Sequence, residues 1–463
     1  MATRRAFLAQ VLGTAVVVTS GLAACSSGSA DDSGSDSGHV EGATAITKVY
    51  GDGQKFVAVA VLYDADIDTA KLSTSDFKVD GRTVTKVYAN TSATLAAEGV
   101  NGKYVIVELS PDDDGAALWG NSPPSGGGSQ SAGAQPSGGP QSGTASSGTA
   151  GPPMQLPAAT LKTPKGSVTQ VASVTTIGGT DYAASSTAVA TSKTVNLIVD
   201  DFKQFTFRDP KTGQTLNYNL YIPKNYDKSK SYPLVLFMHD SSVVNTATKA
   251  TLVQGLGAVC WASPEDQAKR EAFVVAPQYP SVVVEDDYQP TALFDATVNL
   301  VTSLTTQYSI DTNRLYATGQ SMGGMMALGM NIKYPDLFAA SYVVAGQWPT
   351  AQTAPLAKKN LWIVVAQGDA KAYPGENAIT AFLETKGAKV STAVWNGKAT
   401  AAQFAANVKA MEAKATPINY ASFVKGSVLA AGESSQGAAE HTSTWKVAYS
   451  IDGVRDWIFE QHK

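Results

Sequence analysis

The sequence predicts an α/β protein: a doubly wound, mainly parallel sheet in the second half, preceded by a β-sandwich. Three observations carry this. From about residue 204, short fully apolar runs alternate with amphipathic segments, the grammar of buried parallel strands joined by helices. Before that, residues 43–203 alternate apolar and polar positions in short stretches separated by Gly and Asp turns, as half-buried strands do. Finally, a G-x-S-x-G stretch, Gly319 to Gly323, falls between one apolar run and a helix-like segment.

Residues 1–24 read as a signal peptide: Arg4 and Arg5 precede an apolar run too short to make a good membrane span. "TRRAFL" resembles a twin-arginine export signal, and "LAAC" resembles a lipobox. The resemblance implies that Cys25 becomes a lipidated N-terminus and that the chain is exported and anchored to the outer face of a bacterial cell membrane. An ordinary export signal with a chance cysteine is the alternative. Residues 25–42 are rich in Ser, Gly and Asp and read as a disordered tether, in which His39 would be idle.

"AITKVYG", "KFVAVAVLY", "FKVDGRTVTKVYA" and "KYVIVELS" open the β domain. A Gly/Ser/Pro tract, residues 121–153, then interrupts it and is expected to be disordered. "ATLKTP", "SVTQVASVTTI" and "TVNLIVDDF" still read as strands, so the tract is taken as a loop inserted in one sandwich, residues 43–203. Two small β units joined by a linker are the alternative.

Residues 204–463 form the second domain. It opens with a hairpin around "DPKTGQ". Buried strands are expected at 232–239, 272–278, 314–320, 339–346 and 360–369, and helices at about 290–308, 323–334, 375–387 and 401–415. In such sheets chemistry collects at the carboxyl ends of the strands.

Composition narrows the function. A net charge of −4 with no basic stripe argues against nucleic acid as the partner. The chain has two cysteines, Cys25 and Cys260; with Cys25 modified, Cys260 is left unpaired. With four histidines besides, a Cys/His metal site is not expected, and the acidic stretches "SPDDDG" and "VVVEDDYQP" lack regular ligand spacing. No cofactor is expected. Cys260 reads as a buried residue, and Trp348 as either core or pocket wall.

Ser321 sits where a strand turns into a helix, and glycines at 319 and 323 relieve the crowding of such an elbow. The elbow makes the Met322 N–H a natural oxyanion donor. A serine nucleophile needs a base. His39 lies in the tether, His462 lies past the final helix, and His239 closes an upstream strand. That leaves His441, expected on a loop after the last strand and before the final helix. The acid that orients it should follow a strand, which favours Asp369. Glu376, expected in the first turn of the next helix, would serve the helix dipole instead; Glu433 and Glu440 are further candidates. The loop "HDSSVVNT" offers Asp240 or Ser241 as the second oxyanion donor.

With these residues in place, the stretch from about 200 onward resembles an α/β-hydrolase of the esterase type. The chain as a whole is similar to secreted bacterial carboxylesterases with an N-terminal immunoglobulin-like domain, relatives of polyhydroxybutyrate-depolymerase-like and feruloyl-esterase-like enzymes. "YNLYIPKNYD", "YPLVLFMHD", "FVVAPQYP", "IDTNRLYATGQSMGG", "GDAKAYPGEN" and "RDWIFEQ" carry the likeness, in order. It implies a triad of Ser321, Asp369 and His441, oxyanion donors near Ser241 and Met322, and a small-molecule or polymer-linked ester as substrate. Two departures stand out. Asp-Ser-Ser replaces the usual Gly-rich stretch after His239, and Lys371 takes the position where relatives often carry the acid. A serine peptidase of the prolyl-oligopeptidase type and a non-catalytic surface protein are the competing readings.

Overall fold

The computed structural model describes residues 38–121, 159–244, 247–435 and 438–463. The signal peptide, Cys25, most of the tether and nearly all of the Gly/Ser/Pro tract lie outside the described residues.

The N-terminal part is built of β-strands with short 3-10 turns between some of them. Its seven-stranded sheet runs in the order Phe77–Val79, Ser167–Gln170, Val189–Asn196, Val40–Tyr50, Gly53–Ile67, Gly102–Leu109, Val84–Asn90. Strands from both sides of the 122–158 segment therefore interleave in one sheet. Val189–Asn196 makes the fold close. Its first residues pair antiparallel with Ser167–Gln170, and its later ones pair parallel with Val40–Tyr50. Phe77, Val79 and Val168 thereby reach the same apolar core as Val59, Val61, Val105 and Val107, the inward positions of strands with period two.

The tether expectation needs correction at its end. The first strand already begins at Val40, and His39 is docked. Its ring stacks on Tyr182 at 3.7 Å, and its Nδ1 lies 3.0 Å from Asp64, which also accepts from the Tyr182 hydroxyl. A Gly/Ser-rich approach hid a residue whose partners lie far along the chain.

The second part is built on a nine-stranded sheet. Its order is Lys203–Arg208, Thr215–Tyr221, Phe273–Gln278, Tyr232–Met238, Ile310–Gln320, Ala340–Val344, Asn360–Ala366, Ile418–Phe423, Val390–Trp395. The first two strands form a hairpin and run antiparallel; from Phe273–Gln278 onward neighbours are parallel. The parallel strands are apolar along their length because both faces are covered. Leu234, Leu236 and Met238 point into one core, Val235 and Phe237 into the other. The first core packs the helices Ala292–Gln307, Met322–Lys333 and Ala372–Thr385; the second packs Ala401–Glu412, Ala439–Ala448 and Asp452–Phe459. Val49 and Trp119 of the β domain join the second core.

One ion cluster pins the last helix. Asp266 is buried and accepts from Arg455 at 2.9 Å and from Arg270 at 2.6 Å, while Asp452 reaches both arginines. Cys260, buried nearby, has its thiol pushed up to about 12 by burial. Removing Asp266 would leave both buried guanidinium groups with only half-exposed carboxylates, Asp452 for each and Asp456 for Arg270. Asp266→Ala is therefore expected to cost about 3 kcal/mol of unfolding free energy, the low end for breaking a buried ion pair, read from urea titration by tryptophan fluorescence.

Candidate active site

Ser321 caps the helix Met322–Lys333 with φ 52° and ψ −117°. That is a costly conformation for a residue with a side chain, and the surroundings enforce it. The Ser321 N–H donates to Val344 O at 3.0 Å, and its carbonyl accepts from Met325 N–H at 2.8 Å. A Cβ on Gly323 would fall 1.9 Å from Met238 O, and one on Gly319 would fall 2.4 Å from the Gly323 carbonyl carbon. Only glycines let the helix start this close to the sheet.

His441 comes to Ser321 from 120 residues away: Nε2 lies 2.8 Å from Ser321 Oγ. Its Nδ1 lies 2.5 Å from Asp369 Oδ2. An ionised carboxylate only accepts, so Nδ1 carries the proton and Nε2 is free to accept from the serine hydroxyl. The expected loop placement of His441 is wrong. It occupies the first turn of the helix Ala439–Ala448. "EHTSTW" has weak helix propensity, which favoured a loop reading. Burial of Glu440, Ser443, Thr444 and Trp445 sustains the helix instead, with Thr444 Oγ1 donating to Glu440 O and accepting from Ala366 N–H. The His441 ring also meets Trp445 edge-on at 5.2 Å.

Asp369 is 4% exposed, in the turn after Asn360–Ala366. Its Oδ1 accepts from the N–H groups of Lys371 (3.0 Å) and Ala372 (2.9 Å), where the next helix starts. Burial alone would raise its pKa. The bond to His441, the imidazole charge and the two N–H groups outweigh burial and hold it below the ordinary carboxylate value.

The other carboxyls sort differently. Glu433 is exposed and closes a turn on Ala430 N–H at 3.0 Å. Glu440 is buried and accepts from Gly426 N–H at 2.8 Å. Neither is hydrogen-bonded to His441. Glu376 is not in the first helical turn. The helix begins at Ala372, so the side chain points inward and accepts from Gly346 N–H at 3.0 Å. Burial first, and the Asp369 charge after it, drive its pKa well up, which favours the neutral form.

Ser241 begins a short 3-10 turn, Ser241–Val243, and Met322 begins its helix; among the described residues neither N–H is engaged in a hydrogen bond. The loop carrying Ser241 rests on a frame in which the parts of Gln320 and His239 were not legible in the sequence. Asp240 Oδ1 accepts from Ser242 N–H at 2.9 Å and also bonds the Ser242 hydroxyl; Oδ2 accepts from Gln320 Nε2 at 3.0 Å. Beneath it, His239 accepts from Tyr279 N–H through Nε2, so its Nδ1 proton donates to Asp240 O at 2.7 Å. Burial depresses its pKa and keeps it neutral, against the pull of Asp240. Asp-Ser-Ser thus replaces a glycine-rich loop with one folded around its own carboxylate. The signal was present in Gln320, a polar residue closing an apolar strand.

Comparison with known proteins agrees with this architecture. Residues 42–183 match the family described as "Esterase Ig-like N-terminal domain", and residues 210–417 match "Putative esterase". A crystal structure titled as that of a thermostable esterase superposes with a TM-score of 0.72 at 26% identity, covering 92% of this chain and 100% of the other. "Probable feruloyl esterase C" of Aspergillus terreus is 30% identical over 130 residues, 28% of this chain and 46% of that protein. "Probable acetylxylan esterase A" of Aspergillus flavus is 48% identical over 48 residues, 10% of this chain and 16% of that protein. The chain thus spans less than half the length of these curated relatives. The fold is that of an esterase-family α/β-hydrolase behind an immunoglobulin-like domain.

The depressed pKa of Asp369 has a thermodynamic consequence. Its stabilising contribution is complete above the ordinary value of 3.8 and is lost as pH falls through the lower folded-state value. The stability difference between wild type and Asp369→Asn should therefore shrink as pH drops from about 6 to about 3, measured as the shift in urea midpoint.

Proposed function

We propose that this chain, an immunoglobulin-like domain followed by an esterase-family α/β-hydrolase domain, is a serine hydrolase of carboxylic esters. The reading rests on one observation: Ser321 Oγ, His441 Nε2, His441 Nδ1 and Asp369 Oδ2 form one hydrogen-bonded line at the carboxyl ends of parallel strands. Ser321 attacks the ester carbonyl while His441 takes its proton. The tetrahedral oxyanion is held by the N–H groups of Met322 and Ser241, which the Asp240–Gln320 contact keeps on a fixed loop. His441 then protonates the leaving alkoxide. Water, deprotonated by the same imidazole, releases the acid from Ser321. Asp369 keeps the imidazole in the required tautomer and stabilises its charged form, while burial disfavours a second negative charge at Glu376.

The names of the relatives make acetyl and feruloyl esters the first classes to assay. Export by the twin-arginine route and lipid anchoring at Cys25, supported by the sequence of the first 25 residues, and a domain division near residue 203, supported by the start of the second sheet at Lys203, complete the proposal. Neither the peptidase nor the non-catalytic reading has an observation in its favour.

Purified protein is expected to hydrolyse p-nitrophenyl acetate and to be labelled by a fluorophosphonate at Ser321. Ser321→Ala should lose both. Asp369→Asn should lower kcat by about 10⁴-fold, whereas Glu433→Gln should stay near wild type. The opposite pattern would remove Asp369 from its role, and labelling that persists in Ser321→Ala would remove Ser321.

A further inference from the structure

The loop between Phe273–Gln278 and the helix Ala292–Gln307 has no part in the chemistry above, yet it crosses directly over it. In the sheet, the strands Tyr232–Met238 and Ile310–Gln320 separate Phe273–Gln278 from Ala340–Val344. The loop's Asp286 nevertheless accepts from Gln347 Nε2 at 3.1 Å, just beyond Ala340–Val344. It also pairs with the Lys371 ammonium, one strand further on. On the way, Val283 N–H meets the Met322 sulfur at 3.3 Å. Val283 and Val284 are buried in the same cluster as Met322, Met325 and Trp348. Tyr288, at φ 56°, sets its ring against Trp348 with centroids 5.6 Å apart.

The position of this strap relative to His441 decides which end of an ester it meets. His441 must reach the leaving oxygen to protonate it. Its helix packs in the core on one face of the sheet, while the strap packs in the core on the other. The strap therefore flanks the side away from the leaving group, where the acyl chain extends.

We infer that Asp286, clasped to Lys371 and Gln347, holds residues 279–291 as the wall of the acyl site and thereby limits the acyl length the enzyme accepts. This rests on the serine-esterase reading. The Lys371 backbone N–H donates to Asp369, so the clasp references the wall to the same turn that carries the acid. Lys371 thus has its own role at the position where relatives often carry the acid. The Asp286 and Lys371 side chains are 58% and 64% exposed, so their pairing is weak and screened by salt.

The test compares kcat/KM for p-nitrophenyl octanoate and p-nitrophenyl acetate, which share a leaving group. In Asp286→Asn the octanoate-to-acetate ratio is expected to rise roughly two- to fivefold, the scale of an exposed ion pair. Lys371→Met should do the same, and Asp286→Lys combined with Lys371→Asp should return the ratio toward wild type. At about 1 M salt the wild-type ratio should move toward that of Asp286→Asn, while the variant's own ratio stays put. Far-UV circular dichroism and the urea midpoint of Asp286→Asn should stay close to wild type, reporting an intact fold. An unchanged ratio with an intact fold would overturn the role of the clasp alone. A wild type that neither labels nor hydrolyses any ester would overturn the serine reading and this inference together.

Discussion

The site depends on one close approach. The helix after Ser321 starts so near the sheet that the Met238 carbonyl fills the space where a Cβ on residue 323 would be. That contact holds Ser321 in its positive-φ conformation and starts the helix right behind it. It also ties two loops together. Met238 ends the strand that leads straight into His239 and Asp240, so the same backbone that abuts the elbow launches the loop proposed to carry the second oxyanion donor. Gln320, the residue before the serine, closes the link by donating to Asp240. The proposed nucleophile and oxyanion donors are thus tied together by backbone packing and a single carboxylate, with no glycine-rich loop.

Burial treats Asp369 and Glu376 in opposite ways. Both lose water, which by itself disfavours charge. Asp369 regains it from an imidazole and two backbone N–H groups; Glu376 receives only one N–H and faces the Asp369 charge. Burial thus favours the neutral form at Glu376, while the partners of Asp369 favour its anion, within one turn and helix.

Ser321, Asp369 and His441, which the structure joins by hydrogen bonds, could be singled out in the sequence because each carries a local mark: an elbow motif, an aspartate after an apolar run, and a histidine left over by elimination. The parallel strands were readable for a related reason, since burial on both faces makes them continuously apolar. Features set by partners distant in the chain were not. The helix around His441 contradicts its own propensities and is held by packing. His39 looked like part of a polar leader, because Asp64 and Tyr182 are remote in sequence. Val390–Trp395 and Ile418–Phe423 escaped notice as strands: the first is a partly exposed edge with mixed polarity, and the second carries buried Asn419 and Ser422 among its apolar residues.

The same distinction explains why "VVVEDDYQP" reads as a solvated acidic loop and behaves as something more. Its composition is that of a surface segment, and Asp286 is indeed exposed. What gives it structure is where its ends are fixed: one at the strand Phe273–Gln278, the other at the helix Ala292–Gln307, with the elbow between them and its point of attachment to Lys371. A chain segment forced over the strand ends needs something to hold on the far side, and the far side here is the turn of the acid. Departure from the usual acid position at Lys371 therefore carries its own logic. With the carboxylate supplied at Asp369, the second position after it is free to present a cation outward, and the acidic strap supplies its counter-charge.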